Sequence, residues 1–338
     1  MSPIITRRVV IGTGTGFALA RPAISRAQEV ILLKLAHTDP SGGARQVAAE
    51  HFADRVAVLT HGRYKVQTYP SGQLGTDVSE LEQLRLGSVD FAVTGAVTYG
   101  TYIRALNLTA LPYLVESYEQ GWALYDQGKW IRSQFDLLPA RGLRILSVWE
   151  AGFRSFSTKM ALNSPANAAG KKLRIYASDI IRWAMESLGF TAVVLPVTDV
   201  YLAIQQGAVV GQENPIDTIF AQKFYEVAPF IGLTQHIYSP TPLSMSERSW
   251  KQLPQADQAL IMEAAKDAST FSRNLVRAQD DQQLAQMKTA GATINRPDLS
   301  PFRAAMRGAV DKARQAYGAD LVDPLLADAE AIQRSFKG

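Results

Sequence analysis

One rhythm occurs twice in this chain of 338 residues, and it constrains the fold more than any other feature. Residues 30–37 (VILLKLAH) read as a buried strand. Ala44, Val47, Ala48, Phe52, Val56 and Leu59 then recur at helical spacing, and Gly62 is placed to end that helix. Tyr64 to Tyr69 (YKVQTY) is a second strand, closed by the turn residues Pro70, Ser71 and Gly72. Asp77 and Glu80, three apart, form a capping pair for a helix that turns Val78, Leu81 and Leu84 inward. Gly87 stops it before a third strand at Val89 to Val93. The order is β-α-β-α-β, the rhythm of a parallel sheet wrapped by helices.

The second occurrence begins with a strand at Lys172 to Ile175 and a helix from Ser178 to Leu188, ended by Gly189. A strand at Thr191 to Leu195 follows. A helix through Tyr201, Leu202 and Ile204 then stops at Gly207, before a strand around Val209. Two similar open α/β units favour a ligand held between them, because in such sheets ligands sit beyond the carboxyl ends of the strands. Two facing ends make a cleft that closes by hinge motion. From Ser249 the composition turns helical, with further helices expected over Pro301 to Ala316 and Asp323 to Phe336, packed on the sheets by their apolar faces.

The N-terminus reads as a leader. Arg7 and Arg8 precede an apolar run from Val9 to Ala20, too short to span a bilayer, and Ser25-Arg26-Ala27 offers small residues at a cleavage site. Export to the periplasm with cleavage after Ala27 is expected, by the general or the twin-arginine route, since Thr6-Arg7-Arg8 leaves both open. Of the 35 Lys and Arg residues, four lie in those 27 positions, which hold no Asp or Glu. The 31 that remain balance 31 acids. The mature chain is therefore neutral and makes no case for a nucleic-acid partner. The absence of Cys removes disulfides, thiolate metal sites and Cys nucleophiles together. Roughly 310 mature residues suggest two domains.

Four segments are more specific: YPSGQLGTDVSELEQLRLGSVDF (69–91), AGKKLRI (169–175), DVYLAIQQGAVVGQENPI (199–216) and FYEV (224–227). In register from about Leu32 to Leu253, they resemble the solute-binding subunits of TRAP (tripartite ATP-independent periplasmic) transporters, of the C4-dicarboxylate-binding-protein-like family. The resemblance implies an α/β, two-domain periplasmic-binding-protein-like fold with hinge strands and a long connecting helix. It places 28–151 with 240–279 in the first domain and 152–239 with 280–338 in the second. It also implies a monomer that closes on a small organic acid and delivers it to small and large TRAP membrane subunits driven by a sodium gradient, with no cofactor.

By the same resemblance, Arg174 in the Lys-Leu-Arg strand is the residue that forks onto the ligand carboxylate. A guanidinium suits that role because it stays ionised and makes two parallel hydrogen bonds. Arg154 matches a second family arginine and Asn214 an amide that contacts ligand. Glu213 and His236 match an acid and a histidine that, in one branch, couple the second arginine to closure. Departures bear on the substrate. Gly95 stands where the sialic-acid-binding branch ends a strand in an acid, His37 where an Asn is expected, and Val210 where an Asp usually precedes Gly-Gln-Glu-Asn-Pro. Without that acid to accept sugar hydroxyls, sialate is disfavoured. Trp149, Tyr176 and Val197 fall near the expected cleft and are candidates for shaping it.

Other classes find less support. There is no Gly-x-Ser-x-Gly elbow, no His-Glu-x-x-His and no phosphate loop, and the four histidines have no metal spacing. The run Gly12-Thr-Gly-Thr-Gly16 lies in the leader and follows no strand. The expectation is a binding protein and not an enzyme. The alternatives are an exported hydrolase using His236 and Glu213, or a sensor subunit that presents its ligand to a receptor.

Overall fold

The computed structural model describes residues 30–336, so the expected leader and cleavage site lie outside the described residues. The chain opens with β1 (Ile31–Ala36), α1 (Ala44–Leu59), β2 (Tyr64–Tyr69), α2 (Asp77–Leu86) and β3 (Phe91–Val93). Two 3₁₀ turns lead to α3 (Tyr118–Gln127), α4 (Lys129–Phe135) and β4 (Leu143–Trp149). After β4 the chain crosses to β5 (Phe153–Thr158), β6 (Lys172–Ile175), α5 (Asp179–Ser187), β7 (Thr191–Val194) and α6 (Val200–Gln205). It continues through β8 (Gly211–Pro215), α7 (Ile216–Ala221), α8 (Phe224–Val227) and β9 (Phe230–Tyr238). It then returns as β10 (Thr241–Ser246), followed by α9 (Glu247–Gln252), α10 (Gln255–Thr289), β11 (Thr293–Asn295), α11 (Ser300–Tyr317) and α12 (Ala319–Ser335).

These strands form two sheets. The first has the order β2-β1-β3-β10-β4, with β1 parallel to β2 and β3 and with β10 antiparallel to β3 and β4. The second has the order β11-β9-β5-β8-β6-β7, and there β5 runs antiparallel to β8 and β9. Among the described residues, two short segments carry strand into strand between the sheets: Glu150 to Gly152 outward, Ser239 and Pro240 back. The 35 residues of α10 pack on α1 and β4 of the first sheet and on α7 beside the second, so one rigid rod touches both. At 1.5 Å per residue it is about 50 Å long.

Burial explains the elements. β2 alternates buried Tyr64 and Val66 with exposed Lys65 and Gln67, while β5, central in its sheet, is buried at all six positions. α11 buries Phe302, Met306, Ala309, Ala313 and Tyr317, a single stripe that lies on α5. α12 packs instead on α3 and α4. Beside the first sheet, Phe52 meets Phe91 and Trp149 edge-on in a core completed by Leu35, Leu243 and Ile261.

Two local readings are corrected. The second-half strand is Gly211–Pro215, not a segment around Val209, because Gly207 to Val210 turn the chain before pairing with β5 begins at Gly211. Asp77 and Glu80 are not a capping pair: Thr76 is the N-cap, its hydroxyl accepting from the Ser79 amide at 3.4 Å. That leaves the Asp77 side chain at the cavity described below.

Candidate functional site

The carboxyl ends of β1, β3, β6 and β9 and the N-terminal ends of β5 and β10 converge on one cavity between the sheets. It encloses about 410 Å³ including its opening. Thr38, Asp39, Arg45, Asp77 and Gly95 line it from the first sheet's side, and Arg154, Tyr176, Val197, Asn214 and Thr218 from the second's. Ser239 and Thr241, at the return crossing, complete it. The two sides touch. The Thr98 and Tyr176 hydroxyls are 2.6 Å apart, and the Gln222 amide donates to the Thr38 carbonyl at 3.4 Å.

Arg174 lies behind the second wall on β6, opposite Gln212 of β8, and is 1% exposed. Its Nε and Nη2 donate to the Leu195 carbonyl at 2.9 and 2.7 Å. Nη1 is buried and has no partner among the described residues. The expected free fork is thus half engaged: its side-on edge is held by Leu195, and its end-on edge, Nη1 with the second Nη2 hydrogen, can still meet two oxygens. Burial, then repulsion from Arg154, lowers its pKa to about 10, so it remains charged at neutral pH. Gln212 Nε2 and Thr241 Oγ1 are likewise buried without partners. An orphaned buried donor is costly; of the three, Thr241 lines the cavity, while Arg174 and Gln212 are not among its lining residues and lie on β6 and β8 behind it.

Arg154, on β5, grips Glu213 of β8: Nε donates to Oε2 at 2.5 Å, and Nη2 to Oε1 at 2.8 Å and to the Glu213 carbonyl at 2.6 Å. His236 Nε2 sits 3.3 Å from Glu213 Oε2, its Nδ1 is 2.8 Å from the Thr234 hydroxyl, and its ring stacks on Phe156. Burial lowers the His236 pKa, so the neutral ring donates from Nε2 and accepts at Nδ1. Burial alone would raise Glu213, but the Arg154 guanidinium and the His236 bond hold it at about 2. The expected Arg154–Glu213–His236 grouping is thus assembled, with Arg154 Nη1 reaching 3.4 Å from the Ser239 hydroxyl at the crossing. Asn214 reaches the cavity, its amide donating to Gln212 Oε1 at 2.5 Å.

Tyr176 and Val197 line the cavity; Trp149 and His37 do not. Trp149 is 1% exposed in the first sheet's core, where its indole N–H donates to Ser147, so its bulk fills that core and does not shape the cleft. His37 is fully buried, with Nε2 2.7 Å from Gln46 Oε1. Its neighbours Thr38 and Asp39 face the cavity in its place. The sequence reading missed Asp39, Arg45 and Asp77. Asp77 reads as a cap in the sequence, and Asp39 and Arg45 flank a Pro-Ser-Gly-Gly run that reads as surface loop, Arg45 in the first turn of α1. Among the described residues there is no cluster of metal-ligating side chains, and no helix long and apolar enough to cross a membrane.

Comparison with known proteins matches residues 35–316 to a family model described as DctP, bacterial extracellular solute-binding protein, family 7. The sialic acid-binding periplasmic protein of Vibrio cholerae is 30% identical over 312 residues, 91% of this chain and 96% of that protein. Among solved structures, a TRAP periplasmic solute-binding protein from a Sulfitobacter species with bound β-D-galacturonate superposes with a TM-score of 0.84. It is 28% identical and covers 88% of this chain and 99% of that one. One from Sulfurospirillum deleyianum with bound succinate gives 0.83 at 27% identity, covering 88% and 98%.

Proposed function

The chain belongs to the DctP family, family 7 of the bacterial extracellular solute-binding proteins, and on that footing we propose that it holds one small carboxylate at Arg174. It is a periplasmic TRAP solute-binding protein that works with TRAP membrane subunits, and its family is one of binding proteins, not enzymes. The observation that carries the site assignment is the buried guanidinium with an unpartnered Nη1 behind the cavity wall. A desolvated cation with open hydrogens gains two charge-assisted bonds from a carboxylate and little from a neutral ligand. Arg154, clamped by Glu213 and bonded toward Ser239 at the crossing, is the second contact and links ligand to closure; Asn214 and Tyr176 orient the remainder.

The finer assignments belong to the same reading: a monomer, a first domain of 28–151 with 240–279 and a second of 152–239 with 280–338, and cleavage after Ala27. The protein that carries acids in related structures binds sugar acids in some and succinate in others. A thermal-shift screen of residues 28–338 against sugar acids, keto acids and dicarboxylates tests the reading. A ligand at 100 times its Kd should stabilise by about 2.7 kcal/mol. No shift with any acid would remove the carboxylate assignment. Mass spectrometry of the exported protein checks the cleavage site.

A further inference from the structure

The two crossings and the long helix α10 run between the sheets, and Glu150 is bonded to all three while lying outside the cavity lining. Its side chain is buried. Oε1 accepts from the Ala151 and Gly152 amides of the outward crossing at 3.0 and 2.7 Å. Oε2 accepts from Trp122 Nε1 of α3 at 2.7 Å. It also accepts, at 2.8 Å, from the hydroxyl of Tyr238, the last residue of β9 before the return crossing. The Glu150 amide donates to the Ser272 hydroxyl of α10 at 3.2 Å. Gly121, having no side chain, lets the Tyr238 ring lie on α3 beside Trp122. Four donors from the crossing, α3 and β9 thus converge on one carboxyl group. Only the ionised form accepts from all four freely, since a proton on either oxygen competes with a donor already there.

We propose that Glu150 is a positioning residue for closure: its negative charge draws both crossings and α3 into the arrangement seen here, so ligand affinity depends on that charge although Glu150 touches no ligand. The inference rests on the reading that the two sheets close on a carboxylate. Burial pushes the Glu150 pKa up to about 7, against the bonds from Tyr238, Trp122 and the Gly152 amide and the nearby Arg273 charge. The group therefore changes charge near neutral pH, and its neighbours do not. Burial raises the phenols of Tyr118 and Tyr125 on α3 and of Tyr238 on β9, which stay neutral. Arg273 of α10 stays charged, paired with Asp126 of α3 at 2.6 and 2.8 Å. Asp280 of α10, raised by burial to about 6, is bonded by the Tyr118 hydroxyl. Opening turns the crossings against one another. A residue at the pivot moves little and stays buried, so it loses donors without gaining water, and its proton is held more tightly in the open form. Closure therefore releases protons. Affinity is full above the open-form pKa and is lost as pH falls through about 7.

The test is calorimetry of the full mature protein with galacturonate, galactonate and succinate, the acids held in related solved structures, on the wild type, Glu150→Gln and Tyr238→Phe. Titrations run from about pH 8.5 down to about pH 6.5, a window that brackets the expected midpoint. For whichever acid binds, the wild-type Kd should rise about fivefold toward the acid end, the change that follows from a tenfold difference in proton affinity between the open and closed forms. Glu150→Gln keeps an acceptor oxygen but cannot titrate, so its Kd should be flat and near the wild-type value at the acid end. Tyr238→Phe removes one donor to the charged form and should move the midpoint to higher pH. A residue that only props the crossing would weaken binding equally at every pH when changed. A flat wild-type profile, or one that Glu150→Gln leaves unchanged, overturns the proposal. In the second case the titration belongs to Asp217 of α7, which burial and Asp39 push up to about 7. Should Glu150→Gln fail to fold, an unmoved midpoint in Tyr238→Phe overturns the proposal alone. A flat profile with binding intact leaves the carboxylate reading standing, and failure of all three acids to bind removes both.

Discussion

His37 shows what depth does to one titrating side chain. Burial, with help from the Arg45 charge, lowers its pKa to about 3 from an unfolded value near 6.5, so the folded protein resists protonating it. Its contribution to stability is therefore complete above about pH 6.5 and is lost as pH falls toward 3. By linkage the loss is on the order of 4 kcal/mol. Chemical denaturation across that window should show a shallower decline for His37→Gln than for the wild type; parallel declines would show that His37 does not titrate in this way. The Arg154–Glu213 pair is a different case, a charge pair sealed from water on both sides. Glu213→Ala would strand a buried guanidinium and should cost roughly 3–5 kcal/mol in equilibrium unfolding. The types and places of Arg154, Glu213 and His236 were legible in the sequence because each falls in a conspicuous local string. Their partners were not, since Arg154 and Glu213 are 59 positions apart and meet only when β5 and β8 pair. Trp149 was misjudged for a physical reason: nearness in sequence to the crossing says nothing about which face of β4 a side chain takes.

At the scale of elements, the outward crossing is held through one carboxyl group. Glu150 accepts from the Ala151 and Gly152 amides at 3.0 and 2.7 Å, from Trp122 Nε1 at 2.7 Å and from the Tyr238 hydroxyl at 2.8 Å. Gly152 takes φ +103°, and a Cβ there would lie 3.1 Å from the Tyr118 hydroxyl. Gly152→Ala should therefore destabilise by about 1–3 kcal/mol, the cost of a side chain in that backbone region. An unchanged melting temperature would show that the joint tolerates it. The β-α-β-α-β order was readable because glycine stops and apolar runs mark its joints, and β2 and β6 have the expected bounds. β8 was misplaced because Gly-Gln-Glu-Asn-Pro carries no apolar alternation. It is a strand only because β5 and β6 enclose it, and tertiary context overrides a polar sequence.

Across the whole molecule, two sheets are joined by two short crossings and one long helix, and the proposed reading has them open and close around the cavity. The two sides touch through Thr98 and Tyr176. Ligand should favour that closed arrangement by whatever contacts it makes there and not in an open one. X-ray scattering should show a smaller radius of gyration with a bound acid than without, and equal radii would count against closure on ligand. That a cavity would form between two α/β units was legible; its charge was not, because Asp39, Arg45 and Asp77 converge only when a turn, α1 and the first turn of α2 are folded together. The central claim is that a carboxylate is held by Arg174, and calorimetry on Arg174→Ala and Arg174→Lys tests it most directly. Removing the guanidinium should cost roughly 3–5 kcal/mol, two to three and a half decades of affinity for the acid that binds the wild type. Lysine should restore only part of that, because an ammonium cannot reproduce two parallel bonds. Wild-type affinity in Arg174→Ala would contradict the account.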